Sequence, residues 1–139
     1  MLQHQHELQV STNGQGLYEF TRDAARETKT SGIETGLAHL FCRHTSCSLL
    51  IQENADPDVQ RDLTSFFKRL VPDGDPLFIH TSEGPDDMPA HIKAALTQTT
   101  LTIPVSKGRL MLGTWQGIYL FEHRLRSHRR QVVIHLIGN

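Results

Sequence analysis

The chain has 139 residues, 37% of them hydrophobic and 21% charged, with a formal net charge of −1. That length suits one domain, residues 1–139, with one modest core. The near-neutral charge argues against nucleic acid or anionic membranes as partners, and no apolar run approaches the roughly 18 residues of a membrane span. MLQHQHELQV lacks a basic region followed by an apolar stretch, so the expectation is a soluble, cytoplasmic protein. Nine histidines are scattered along the chain. The two cysteines, Cys42 and Cys47, frame C-R-H-T-S-C, which matches neither a common zinc module nor a disulfide framework.

Taken in chain order, residues 5–11 alternate and predict a strand, broken by T-N-G-Q-G. A helix follows from Thr21, with Thr at the cap position and Gly32 beyond the end. Residues 36–44 and 46–53 are apolar runs of strand length joined by a bend. Asp56-Pro57 opens a second helix with an apolar face of Val59, Leu63, Phe66, Phe67 and Leu70. A short strand reaching His80 is expected next. A third helix, capped by Asp87 or Met88, then buries Met88, Ile92, Ala95 and Leu96. Residues 99–105, 109–113, 116–122 and 131–137 predict four further strands, the first two joined at Ser106-Lys107-Gly108. Four strands without an intervening helix argue against a doubly wound sheet. The expected class is α+β, a mostly antiparallel, sandwich-like core with about three helices outside.

Three groups of residues carry chemistry. In FIHTSEGPDDMPAHIKAAL, His91 lies beside the buried helix face, and Asp87 is one turn earlier, placed to orient it or to cap the helix. His80 closes the expected strand. In FCRHTSCSLLIQENADPD, period-2 alternation puts Glu53 on the apolar side with Cys47, Leu49 and Ile51. A carboxylate there needs a hydrogen bond, an ion pair or a cation. In GTWQGIYLFEHRLRSHRR, Gly113 and Gly117 suit close backbone approach, and Trp115 is either core or the wall of a ligand site. Arg124, Arg126, Arg129 and Arg130 form a solvated hairpin tip or an anion anchor.

Together HTSCSLLIQENADPDV, EGPDDMPAHIKAAL and GTWQGIYLFEHR resemble the YjbQ family from about residue 5 to the C-terminus. The matching positions are His44, Thr45 and Ser46; Glu53, Asn54, Asp56 and Pro57; His80; Asp87 and His91; Gly113, Thr114, Trp115 and Gln116; and Glu122. Gln52 stands where many members have Asn, and Cys47 where a small Ala is usual. The resemblance implies a homotrimer and a polar cleft for a small anionic metabolite. His44, His80 and His91 are its expected ligands for a divalent metal ion, zinc or another imidazole-loving ion. Glu53, Asn54 and Asp87 are its expected catalytic groups, and Thr45, Ser46, Trp115, Gln116 and Arg130 its ligand contacts. The activity associated with the family is a secondary thiamine phosphate synthase. Hydrolysis of an anionic metabolite and non-catalytic binding by a trimer are the alternatives.

Overall fold

The computed structural model describes residues 1–139 as eight strands and three helices. They are β1 Leu2–Asn13, β2 Gly16–Glu19, α1 Thr21–Ser31, β3 Thr35–Cys42, β4 Cys47–Glu53, α2 Pro57–Leu70, α3 Asp87–Leu96, β5 Thr100–Ser106, β6 Arg109–Leu110, β7 Gln116–Glu122 and β8 Ser127–Gly138. All pairings between strands are antiparallel, in a five-stranded sheet ordered β1-β8-β3-β5-β6 and a three-stranded sheet ordered β2-β7-β4. The α+β class and the antiparallel core are as the sequence predicts.

Alternation decides what lies inside. Leu8 and Val10 of β1, Ala38 and Leu40 of β3, Leu101, Ile103 and Val105 of β5, and Val132, Ile134 and Leu136 of β8 are all buried. They join Leu49, Ile118 and Leu120 of the smaller sheet, and Phe20, Ala24 and Ile33 around α1, in one continuous cluster. β7 is the central strand of its sheet, and its residues from Gly117 to Glu122 are all buried. Its other face meets α2, where Phe67 packs edge-on against Phe121 at 5.3 Å and Gln60 donates to the Tyr119 hydroxyl at 3.0 Å. The continuous apolar run in this strand reflects cover on both faces.

Several local expectations change. β2 forms beside the stretch read as a break: a four-residue strand is too short to show a period. Phe20, not Thr21, precedes α1, and the Thr21 hydroxyl donates to Glu19 while accepting from the Ile118 amide. Asp56 and Pro57 start α2 as predicted, the Asp56 carboxylate accepting from the Asp58 amide at 2.9 Å. No α2 residue is fully buried, and Phe66 and Leu70 are half exposed. The turn after β5 has positive φ at Lys107 (53°) and Gly108 (74°), the sign pattern of a two-residue hairpin turn. β6 is only two residues long. No strand leads to His80: Leu77 and Ile79 are 85% and 98% exposed, so this apolar run has no sheet to join.

The third helix turns a different side inward. Asp87, Pro89, Ala90 and Lys93 are buried, while Met88 and Ile92 are partly covered and Ala95 and Leu96 exposed. Apolar periodicity fails here because the ground beneath α3 is polar.

Candidate functional site

α3 begins with two acids, and both are buried against Arg124 from the β7–β8 connection. Arg124 Nε donates to Asp86 Oδ2 at 2.9 Å and Nη1 donates to Asp87 Oδ1 at 2.7 Å. The Leu125 amide also donates to Asp86 Oδ2. Asp86 occupies the N-cap position without a side-chain capping bond, so neither Asp87 nor Met88 caps the helix. These bonds fix the Asp87 carboxyl plane and leave Oδ2 facing outward.

Two histidines meet that oxygen. His80 Nε2 lies 2.7 Å from Asp87 Oδ2, and His91 Nε2, one helical turn on, lies 3.0 Å from it. One ligating atom from each of His80, Asp87 and His91 falls within 4.8 Å of the other two. Asp87 is buried, whereas His80 is exposed and His91 partly so, and the group therefore sits at the surface rim with its anchor inside. Burial pushes the Asp87 carboxyl up, but the His80 hydrogen bond and the charges of His91 and Arg124 outweigh it and hold it below the usual range.

The hydrogen bonds of His91 set its tautomer. Nδ1 is 2.9 Å from the Thr45 carbonyl oxygen, which can only accept, so Nδ1 carries a proton. In the neutral ring, Nε2 is then a lone pair aimed at an ionised carboxylate. Two acceptors 3.0 Å apart need a cation between them, either a proton or a metal ion.

His44 is arranged differently. Its Nε2 accepts from the Gln131 amide at 2.8 Å, and its Nδ1 lies 3.5 Å from an Arg130 nitrogen. Burial and then the Arg130 charge lower its pKa, which matches a neutral ring with its proton on Nδ1. His44 therefore stands apart from the cluster, its lone pair already engaged, and the third residue beside His80 and His91 is Asp87. His44, Thr45 and His91 line one side of a cleft of about 610 Å³, with Phe41, Cys42, Cys47 and Ala94 among its other walls.

Behind the cleft, Glu122 and Arg130 form a buried ion pair at the end of the core. The Arg130 guanidinium grips both Glu122 oxygens, Nε at 2.7 Å, and Nη2 also donates to Ser46 Oγ at 3.0 Å. Thr12 donates to Glu122 Oε1 at 2.6 Å. Burial pushes the Glu122 carboxyl up, but Arg130 and Thr12 overcome it and lower it. The structural carboxylate of the core is thus Glu122 rather than Glu53. Glu53 is only partly covered and accepts from the Asp56 amide at 3.3 Å, because β4 leaves the core at this residue. The arginine cluster divides: Arg126 and Arg129 are exposed at the tip, whereas Arg130 is buried and Arg124 is largely enclosed by its acids.

Glu53, Asn54, Trp115 and Gln116 gather at the far end of the smaller sheet, where Glu53 pairs with Gln116 and the Asn54 amide donates to the Trp115 carbonyl. Trp115 is 63% exposed, so it is not core. Gln116 Oε1 accepts from the Gly113 amide. A Cβ at Gly117 would lie 2.7 Å from Glu19 Oε2, 3.0 Å from Tyr119 Cε2 and 3.1 Å from Asn54 Cβ, so a side chain there would displace all three neighbours. The whole length of β4, roughly 20 Å, separates this end from Cys47. Within one chain, the predicted site residues are therefore divided between two places.

Under α3, His123 is also buried, with Nε2 2.9 Å from Ser48 Oγ. Burial, helped by the Lys93 charge, pushes it down to about 3. The unfolded chain takes up this proton near pH 6.5, so stability is full above that pH and falls as pH drops toward about 3. We predict a loss of about 2 kcal/mol at pH 5 from this group. NMR titration should find the His123 ring neutral from pH 8 to pH 5, and His123→Gln should flatten the stability profile in that window.

Residue-by-residue reading leaves Glu122 and Asp86 without a partner and sees Arg124 only as part of the arginine cluster. A signal does exist for the first: Glu122 and Arg130 fall on the inward parity of β7 and β8, among Ile118, Leu120, Val132 and Ile134.

A family model described as UPF0047 protein YjbQ-like matches residues 6–139. The UPF0047 protein sll1880 of Synechocystis is 52% identical over 98% of this chain and 92% of its own length. The UPF0047 protein YjbQ of Escherichia coli O157:H7 is 41% identical over 97% and 98%. Among solved structures, the conserved hypothetical protein TT1486 of Thermus thermophilus superimposes with a TM-score of 0.86 at 36% identity, covering 95% of this chain and 99% of its own.

Proposed function

The chain belongs to the UPF0047 YjbQ-like family, and on that premise we propose an enzyme that hydrolyses a small anionic metabolite using a divalent ion held by His80, Asp87 and His91. The observation that carries this reading is the His91 tautomer. The Thr45 carbonyl holds the proton on Nδ1 and turns the Nε2 lone pair toward Asp87, as an outer partner does for a ligating histidine. The donor set fits a zinc-like ion: two imidazoles and one carboxylate leave a position open. Bonds of about 2.1 Å would need donor separations of about 3.4 Å, and the present 2.7 and 3.0 Å open to that by small rotations of the rings. When bound, such an ion supplies Lewis acidity toward an anionic group and an acidified water.

The residues around it have separate duties. Arg124 keeps Asp87 ionised and fixed. His44 lines the cleft wall as a neutral ring, its Nε2 held by the Gln131 amide and its Nδ1 turned toward Arg130, and Arg43 on the same wall is paired with Glu7 at 3.1 Å. Imidazole ligands favour zinc-like ions over Mg²⁺, which is the usual partner of a leaving diphosphate. Hydrolysis therefore ranks above a thiamine phosphate synthase-like transfer.

A homotrimer belongs to the same proposal. The far cluster around Trp115 can meet the histidine cleft only across a subunit boundary. Arg130, by contrast, reaches its own chain's His44, so a shared site would not take Arg130 from a neighbour.

The test is a turnover screen on phosphorylated and carboxylated esters, with metal-depleted protein and Zn²⁺ added back. Activity should return with Zn²⁺ and be absent from folded His80→Ala and His91→Ala proteins. Zn²⁺-induced stabilisation without turnover on any substrate would instead support the non-catalytic trimer.

A further inference from the structure

We infer that Cys42 and Cys47 are a redox modification site, closing to a reversible intramolecular disulfide when exposed to hydrogen peroxide. The two Sγ atoms are 3.5 Å apart, and both cysteines are free. Closing to a bond of about 2.05 Å requires a movement of about 1.5 Å, within the reach of χ1 adjustments on two adjoining strand ends. Cys42 ends β3 in the larger sheet and Cys47 begins β4 in the smaller one, so the bond would tie the two sheets together. Both residues are only 2% exposed, yet both line the cleft beside His44 and His91, which gives a molecule as small as peroxide a way in. The chain contains no third cysteine to compete.

The chemistry balances with peroxide as the oxidant. The Cys42 thiolate attacks one peroxide oxygen, the O–O bond breaks, and the departing hydroxide becomes water on taking a proton. Cys42 is then a sulfenic acid. The Cys47 sulfur attacks it, the S–O bond breaks, and the second hydroxide leaves as water with the Cys47 proton. Two thiols lose two electrons and one peroxide becomes two waters.

The bond would close the loop that presents His44 and Thr45 to the cleft and Ser46 to Arg130. Oxidation thus clamps the cleft wall itself. This inference rests on the thiol geometry and stands whether or not an ion binds at His80, Asp87 and His91.

The experiment treats the reduced full-length chain with a small excess of hydrogen peroxide, then blocks remaining thiols and digests with trypsin. Cleavage after Arg43 puts the two cysteines on different peptides. We expect those peptides to be cross-linked, the intact mass to fall by two hydrogens, and dithiothreitol to restore both. Hydrogen exchange at residues 43–46 should slow on oxidation. Cys47→Ala and Cys47→Ser should stop at a Cys42 sulfenic acid that dimedone traps. Disulfides only between chains, or thiol loss without the cross-linked pair, would overturn the inference.

Discussion

Glu122→Gln is expected to cost about 3–5 kcal/mol of folding stability, because it leaves the buried Arg130 guanidinium without its counter-charge. Glu122 is fully buried and Arg130 is 3% exposed, so water cannot replace the lost partner. Thr12, which donates to Glu122 Oε1, keeps an acceptor in the amide oxygen, but the amide nitrogen then faces Arg130 Nη2 and the His123 and Arg124 amides, so lost acceptors add to the lost charge. The midpoint of thermal unfolding should drop by on the order of 10 °C. Replacing both partners, Glu122→Met with Arg130→Leu, should recover much of the loss, since it removes the uncompensated ion. The pH profile separates this from a packing defect. The folded-state pKa of Glu122 is lowered, so its contribution is present above the unfolded value near 4.5 and lost as pH falls through the folded value. Below that window the variant and the parent should converge. Urea unfolding from pH 2.5 to pH 7 reads both effects.

Asp87→Asn is the second large effect, and it falls on the rim. The amide keeps the shape but loses the charge that holds two histidines and one arm of Arg124. Zn²⁺ affinity should fall by more than the roughly 10–100-fold that loss of an outer partner costs. Stability should fall by only about 1–3 kcal/mol, because Arg124 keeps Asp86. Isothermal titration and urea unfolding on the same protein should show this split. Equal Zn²⁺ affinity in the Asp87→Asn variant and the parent would remove Asp87 from the ligand set.

The strands are legible in the sequence because alternation is a local property. The strand at residues 116–122 and the helix start at Asp56-Pro57 can be read directly. The buried side of α3 cannot, because it carries Asp87 and Lys93, and burial of charge depends on groups elsewhere in the chain, as Arg124 does for Asp87. The same reason hides Glu122 behind Glu53. Both sit on inward parity, but only Glu122 meets an arginine across the core. The run before His80 has the composition of a strand, yet the sheet it would join is not there. Among the histidines, sequence places His80 and His91 near one acidic loop. It does not place the Gln131 amide on the His44 lone pair, a contact 87 positions distant in the chain.

The most direct measurement is a crystal of the Zn²⁺-soaked protein, with anomalous differences recorded on both sides of the zinc absorption edge. One peak per chain is expected, bonded to His80 Nε2, Asp87 Oδ2 and His91 Nε2 at about 2.0–2.2 Å, with His44 still accepting from the Gln131 amide. A peak on His44, or no peak between His80 and His91 at saturating Zn²⁺, would contradict a metal centre built on Asp87.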